Sequence, residues 1–224
     1  MCFSTTASLT AGTILCATSV VAIKNAKTSG QKILGFTPFF FGFQQLIEGV
    51  VWLSLKTETF ASLNMSVTYL FLFFAQVFWP TWMPLVILSL EKDRGRKRIL
   101  QYITGLGMFC SLLLATRMIM FPVHSEIDNH HILYTFITPF HVSAVLSVIY
   151  LIPAVIPTFV STTWRMPLLG LLTVGSLIAS KIFYGLYALS VWCFFAAIIS
   201  LVMIYIIRHL VVADEENEMK RLVF

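Results

Sequence analysis

Apolar stretches of about 20 residues cover nearly the whole chain, and this feature limits its fold more than any other. An α-helix rises about 1.5 Å per residue, so about 20 apolar residues cross the hydrocarbon core of a bilayer, which is about 30 Å thick. Of the 224 residues, 58% are hydrophobic and 11% are charged. A typical soluble domain has about 25% charged residues. The sequence therefore predicts an all-α, polytopic membrane helix bundle.

About seven transmembrane helices are expected, separated by short polar or Pro/Gly-containing breaks. Their predicted bounds are 5–23, 34–55, 66–90, 99–121, 132–156, 166–184 and 188–209. The last two are separated by a tight bend at Gly185, because one helix over 166–209 would be much longer than a bilayer is thick. Residues 1–212 are predicted to form one transmembrane domain, and residues 213–224 a short charged cytoplasmic tail.

Lysine and arginine residues are concentrated in alternate breaks, at 24–32, 91–98 and 157–165, and at the C-terminus. Basic residues near helix ends are retained on the cytoplasmic side of a membrane. This distribution predicts an outside N-terminus, an inside C-terminus and a multi-pass protein of the cell membrane. It also accounts for the formal net charge of +5. The predicted partner is accordingly the lipid bilayer, and no nucleic-acid partner is expected.

The second predicted helix contains "FFFGFQQLIEGVVWLSL", residues 39–55, which places two amides and a carboxylate inside an apolar segment. Gln44, Glu48 and Trp52 are spaced four residues apart and share one helical face, with Gln45 beside them. An ionisable residue in the membrane costs about 2.5–3.5 kcal/mol on insertion scales and normally faces the bundle interior. We therefore expect Glu48 to face inward in the outer half of the bundle.

Polar and aromatic residues of other segments are predicted to lie at the same outer end, with Arg117 as the first candidate partner for Glu48 and Lys181 as another. The predicted pocket consists of Gln44, Gln45, Glu48, Trp52, Arg117, His130, Tyr134, Ser190 and Trp192. Two interpretations of Glu48 stay open at this point. It is either a structural carboxylate that fixes helix register or part of a site for a ligand, proton or metal ion.

Cys2 and Cys193 are both predicted on the oxidising, outer side. They suit either a disulfide or, with Glu48 and His130, the ligand set of a transition metal ion. The sequence contains no CxxC or HExxH motif, which would make a metal site specific.

Several motifs together resemble an uncharacterised family of prokaryotic integral membrane proteins whose members open with a sequence close to MCFSATASF. The motifs are "MCFSTTASLTAG", "FGFQQLIEGVVWLSL", "FFAQVFWPTWMPL", "HHILY" and "SVWCFFAAIISL". The resemblance implies a many-helix membrane architecture but no activity. The residues at matching motif positions include Cys2, Gln44, Gln45, Glu48, Trp52, His130, Tyr134, Ser190, Trp192 and Cys193.

Three classes of function are compatible with these features. The first is a protein that binds or translocates a small solute, ion or metal through the outer-half pocket. The second is an intramembrane metal-dependent hydrolase, although the seventh helix lacks a pair of histidines one turn apart and the predicted helices contain no aspartate. The third is a structural or assembly subunit without a site of its own. Whether the protein is an enzyme is left open by the sequence.

Overall fold

The computed structural model describes residues 4–128, 130–137 and 143–223, and helices predominate. The helices are α1 (Thr5–Asn25), α2 (Ser29–Lys56), the short α3 (Glu58–Ala61), α4 (Asn64–Leu72), α5 (Trp79–Leu90), α6 (Arg94–Met120), α7 (Ser143–Val160), α8 (Met166–Tyr184), α9 (Ala188–Ile199) and α10 (Leu201–Val223). A π-helical segment, Phe73–Phe78, joins α4 to α5, and a 3₁₀ turn, Gly185–Tyr187, joins α8 to α9.

Seven long helical segments result in the described part of the chain, because α4 continues into α5 and Ser200 alone separates α9 from α10. The bend at Gly185 is where the sequence predicted it, and Gly185 has a φ of 46°, a value that favours glycine. α10 extends to Val223 and so includes most of the predicted tail. The all-α prediction is therefore confirmed at the level of predominantly helical architecture.

Among the residues that the structure describes, four helical stretches are long and apolar enough to cross a membrane: Thr5–Asn25, Asn64–Leu90, Arg94–Met120 and Met166–Val212. The last of them contains the α8–α9 turn. The second helix, α2, is not among them. More than half of its residues are buried, including its two glutamines and its glutamate. It packs against α1, α4, α5, α9 and α10, so it is the central helix of the bundle.

Side-chain caps mark where α1, α2 and α6 begin. Ser4 caps α1 by accepting a hydrogen bond from the N–H of Ala7, and Asp93 caps α6 through the N–H of Arg96. Thr28 and Gln31 form a reciprocal capping box at the start of α2. These caps satisfy backbone donors that would otherwise be left without partners at each helix start.

α1 and α2 approach each other closely at a pair of glycines. A Cβ atom at Gly12 would lie 2.7 Å from the carbonyl oxygen of Gly42, and one at Gly42 would lie 2.8 Å from the carbonyl oxygen of Gly12. Since real Cβ atoms do not come this close, both positions require glycine at the present helix separation. Small residues at helix contacts are typical of membrane bundles.

The π-helical segment immediately precedes Trp79 and Pro80. Pro80 has no N–H to donate to the carbonyl four residues earlier, at Gln76, so a regular α-helical turn is disfavoured there. The helix is therefore distorted just before Pro80, in the form of π geometry. π segments occur frequently at functional sites.

The prediction of a fifth helix at 132–156 is wrong in its first part. Val123–Asp128 (β1) and His131–Phe136 (β2) form an antiparallel hairpin with Asp128 opposite His131, and the following helix, α7, begins at Ser143. His130, in the turn, has a φ of 64°, within the left-handed region that two-residue hairpin turns use. Apolar content favoured a helix at 132–137, whereas the pairing of β1 with β2 satisfies the same backbone groups as a strand.

Six of the described connections between helical segments fall into two groups, each held together by contacts between its members. The basic end contains the junctions at 24–32, 91–98 and 157–165, which meet where Gly30 approaches Ser89 and where Thr162 bonds Glu91. The hairpin end contains β1, β2 and the α8–α9 turn, which meet where Tyr187 donates a hydrogen bond to Asp128. The basic breaks thus share one end, as the predicted topology requires.

Two apolar cores fill the bundle. The larger lies towards the basic end and includes Leu34, Val86, Ile87, Leu100 and Met166, all of them fully buried. The second lies beneath the hairpin and includes Val51, Trp52, Phe71, Leu72, Val123 and Ile132. The hairpin is therefore packed onto the helices and forms part of the core.

Candidate functional site

The polar stripe on α2 faces the interior of the bundle. Gln44, Gln45 and Glu48 have no exposed surface, and Trp52 is 1% exposed. The hydroxyl of Ser190, on α9, donates a hydrogen bond of 2.5 Å to Oε1 of Glu48. The thiol of Cys193, one turn further along α9, lies beside Gln44 and Glu48. The polar face of α2 therefore meets a polar face of α9.

Gln44 is also bonded to the helix on its other side. The indole N–H of Trp79 donates a 2.8 Å hydrogen bond to Oε1 of Gln44, and the Trp79 ring stacks on Phe41 with ring centroids 3.8 Å apart. Trp79 thus orients the amide of Gln44 in addition to packing. A buried tryptophan normally finds such a partner for its N–H.

Several other polar atoms of the stripe are buried without a hydrogen-bond partner in the described part of the chain. They are both amide atoms of Gln45 and Nε1 of Trp52. A buried polar group without a partner costs about 1–3 kcal/mol. The described contacts therefore explain part of the stripe but not all of its polarity.

Arg117 does not form the predicted ion pair with Glu48. Its guanidinium lies over the ring of Phe136, 4.2 Å from the ring centroid. The predicted pocket is consequently divided between two places. Gln44, Gln45, Glu48 and Ser190 form a closed polar cluster, whereas Arg117, Tyr134 and Trp192 line a separate cavity.

This second place, the hairpin-end cavity, has a volume of about 350 Å³. It is lined by Ala75, Gln76, Leu114, Arg117, Tyr134, Phe136, Leu146, Tyr150, Leu151, Leu177, Lys181, Gly185, Leu186, Ala188, Leu189 and Trp192. Two of these side chains, Arg117 and Lys181, are cationic, and no aspartate or glutamate occurs among the described lining residues. Gln76 also lines the cavity, and its Oε1 is buried without a hydrogen-bond partner among the residues that the structure describes.

Trp192 and Tyr150 form a wall shared with a smaller cavity of about 40 Å³, which extends to Trp79 and Cys193. The two rings make an edge-to-face contact with centroids 6.0 Å apart. The hydroxyl of Tyr150 donates to the carbonyl of Ala75, and the indole N–H of Trp192 donates to the carbonyl of Thr173. The wall between the two cavities is therefore held in place by hydrogen bonds.

The hairpin side chains have different surroundings. Tyr134 stacks on Phe71 with centroids 4.9 Å apart and faces the hairpin-end cavity. His130 is exposed in the hairpin turn. Its neighbour His131 stacks on Tyr187, and burial lowers the pKa of its imidazole.

The predicted metal site is not assembled in the described residues. No group of three or more His, Cys, Asp and Glu side chains there is placed to hold a metal ion, so Glu48, His130 and Cys193 do not form such a group. His130 is exposed in the turn while Glu48 and Cys193 are buried. Cys2, and with it the predicted pairing of Cys2 with Cys193, lies outside the described residues.

Gln76 and Tyr150 received no functional assignment from the sequence. Gln76 stands four residues before Pro80, so the distortion that turns it towards the cavity had a sequence signal in "AQVFWP". Tyr150 had no comparable signal, because a tyrosine in an apolar helix is most often a packing residue.

The described residues define a predominantly helical protein in which four apolar stretches reach membrane-spanning length, beside a closed polar cluster and a cationic cavity. The chain belongs to the DUF6629 family, a family of unknown function whose model matches residues 1–218. The resemblance to an uncharacterised family is thereby confirmed. No curated protein and no solved structure matches the chain.

Proposed function

We propose that the protein is a multi-pass integral membrane protein that binds a small organic anion with an apolar body in the hairpin-end cavity. The observation that carries this proposal is the pairing of two cations, Arg117 and Lys181, with mainly apolar walls and no described acidic side chain. Arg117 is half-buried and Lys181 is exposed. A bound anion supplies a counter-charge to the half-buried guanidinium of Arg117, and the exposed Lys181 adds to the attraction.

Exposed apolar surface supports the membrane part of the proposal. Residues of α6 with more than a third of their surface exposed include Tyr102, Met108, Phe109, Leu112, Ile119 and Met120. Those of α8 include Leu171, Ile178, Ile182 and Phe183. A contiguous apolar surface of this extent is typical of proteins that contact lipid or a partner. In this proposal each of the seven long helical segments crosses the membrane, and the positive-inside rule places the hairpin end outside.

The cavity fits a ligand of limited size and mixed character. Its volume of about 350 Å³ lies at the lower end of the range of small-molecule pockets, about 300–1,000 Å³. The guanidinium of Arg117 presents paired donors that match a carboxylate. Leucines such as Leu151 and Leu177, with the ring of Trp192, form apolar walls around the rest.

The buried cluster then has a positioning role in this proposal. The hydrogen bond from Ser190 to Glu48 fixes the start of α9 against α2. Trp192 stands two residues further along α9 and forms the wall between the two cavities. Glu48 therefore acts on the cavity through the placement of Trp192, without contacting the ligand.

Benzoate and benzyl alcohol provide a direct test, because they share an aromatic body and differ in charge. We expect benzoate to bind the purified protein in nanodiscs and benzyl alcohol to bind much more weakly. Dissociation constants can be measured from tryptophan fluorescence, since Trp192 lines the cavity. Arg117→Gln removes charge-assisted hydrogen bonds worth about 1.5–3 kcal/mol, which corresponds to at least about tenfold weaker binding of benzoate.

Lys56→Gln is the matched charge control. Lys56 is an exposed residue at the hairpin end that lies over Trp52 and does not line the cavity. We expect Lys181→Gln to weaken benzoate binding and Lys56→Gln to leave it unchanged. Equal binding of benzoate and benzyl alcohol, or equal effects of Lys181→Gln and Lys56→Gln, would contradict an anion site in this cavity.

A further inference from the structure

A second pocket, of about 680 Å³, opens at the basic end of the bundle. It lies between the start of α2, the α5–α6 junction, the α7–α8 junction and α10. Its lining residues are Thr28, Gly30, Gln31, Ser89, Leu90, Glu91, Lys92, Lys97, Thr162, Thr163, Trp164, Arg165, Ile206, His209 and Leu210. None of them belongs to the hairpin-end cavity, so the inference from this basic-end pocket is independent of the proposed function.

The charges in the basic-end pocket are mostly positive. Lys92, Lys97 and Arg165 are cationic, and Glu91 is the one carboxylate among the described lining residues. A pocket of this kind attracts anions, provided that the carboxylate does not itself neutralise the cations.

The carboxylate of Glu91 is occupied by the surrounding backbone. Its Oε1 accepts hydrogen bonds from the N–H groups of Lys92 and Asp93 and from the hydroxyl of Thr162, and its Oε2 accepts one from the N–H of Thr162. Burial alone would raise the pKa of Glu91, but these hydrogen bonds outweigh it and lower the pKa. Glu91 therefore stays ionised and ties two junctions together, and the described lining of the pocket carries three cations against this one carboxylate.

Arg165 supplies the geometric part of the argument. Its guanidinium lies over the ring of Tyr205, 4.5 Å from the centroid, and the edge of that ring contacts His209. Nη1 of Arg165 is buried and has no hydrogen-bond partner in the described chain. Arg165 also lines the pocket, and an arginine guanidinium held on an aromatic face is a typical receptor for a phosphate group.

We infer that the basic-end pocket binds a phosphate group, carried either by an anionic lipid headgroup or by a soluble phosphomonoester. Arg165 and Lys97 contact its oxygens, and the hydroxyls of Thr28 and Thr163 are available as further donors. Three cations suit the charge of a phosphomonoester better than that of a single carboxylate. Trp164, which is 88% exposed on the rim, is the kind of residue found at a membrane surface.

Two series of measurements separate the two sources of phosphate. In the soluble series, glycerol 3-phosphate is titrated into protein in nanodiscs of phosphatidylcholine alone. In the lipid series, the phosphatidylcholine discs contain increasing fractions of phosphatidic acid. Thermal unfolding and Trp164-dependent fluorescence, taken as the difference from Trp164→Phe, report binding. A saturable response in either series supports the phosphate site and identifies its source.

Charge-matched variants test whether the pocket itself is responsible. Arg165→Gln is expected to weaken binding about tenfold and Lys97→Gln about threefold, because each removes a charged contact. Arg98→Gln, which removes a charge from the same exposed region outside the pocket, is expected to leave binding unchanged. Lys97 is an exposed residue, so Lys97→Gln should leave the fold intact. It therefore keeps the test decisive even where Arg165→Gln fails to fold.

The inference is overturned if neither the soluble series nor the lipid series gives a saturable response. It is also overturned if Arg98→Gln reduces binding as much as Lys97→Gln, since that result would show general attraction to a basic surface. Lys181 lines the hairpin-end cavity and not the basic-end pocket. Lys181→Gln should therefore retain phosphate binding, whatever its effect on the binding of benzoate.

Discussion

Ser190 and Ser180 are both buried serines of the hairpin half of the bundle, but their hydroxyls have different surroundings. Ser190 donates to the carboxylate of Glu48, whereas Oγ of Ser180 has no hydrogen-bond partner in the described part of the chain. We expect Ser190→Ala to lower the free energy of unfolding by about 1.5–3 kcal/mol, the range for hydrogen bonds to charged groups. Ser180→Ala should be neutral or stabilising, because it removes a buried hydroxyl that gains no bond. Denaturant unfolding in mixed micelles measures both, and equal losses in the two variants would show that the Glu48 contact adds nothing specific.

The inward direction of Glu48 could be predicted from the sequence, but its partner could not. The inward direction depends on the cost of placing one carboxylate in hydrocarbon, which applies to any apolar helix. The identity of the partner depends on how α9 is rotated against α2, and the spacing of residues within one segment does not encode that rotation. Arg117 was the obvious choice by charge, yet its side chain lies on Phe136 and lines the neighbouring cavity.

Among the structural elements, the hairpin is the one that the sequence analysis missed. "VHSEID" and "HILYTF" are each short enough for a strand, and the asparagine in the sequence between them is a residue type that favours turns. The adjoining apolar run concealed this signal, because a predicted helix beginning at 132 absorbed the second strand. Periodicity separates helix from strand poorly over so few residues.

Side chains from α4 attach the hairpin to the bundle through Ser125. Its hydroxyl bonds the side chains of Asn64 and Thr68, at 3.1 and 2.8 Å. Ser125→Ala removes both bonds, and we expect a loss of about 1–2 kcal/mol in hairpin stability with faster amide exchange at 123–136. Glu126→Ala, at the exposed neighbouring position, is the control. Unchanged exchange in Ser125→Ala would mean that Val123, Ile132 and Tyr134 hold the hairpin without these bonds.

On the scale of the whole molecule, the charge pattern and the fold agree about which junctions share an end. Three basic breaks that are far apart in sequence meet at the basic end, where Arg96 donates hydrogen bonds to the carbonyls of Val160 and Ser161. Predicted helix boundaries were close at most positions, because apolar length determines them directly. The cavities were beyond prediction, since each is formed by side chains of several helices whose relative rotation is set by packing.

The orientation of the bundle gives the last prediction, which tests the membrane proposal as a whole. Single cysteines are introduced at Glu126, exposed at the hairpin end, and at Arg94, exposed at the basic end, in a background in which Cys2 is replaced by serine. Cys110 and Cys193 are buried and Cys16 is half-buried in α1, so the native thiols should react slowly.

A membrane-impermeant maleimide added to intact cells should label Glu126→Cys. Arg94→Cys should react only after the cells are permeabilised, because basic residues are retained inside. If Arg94→Cys alone is labelled in intact cells, the orientation is the reverse of the predicted one, and the phosphate pocket lies outside. Labelling of both before permeabilisation would contradict a membrane between the two ends and, with it, the assignment of the exposed faces of α6 and α8 to lipid.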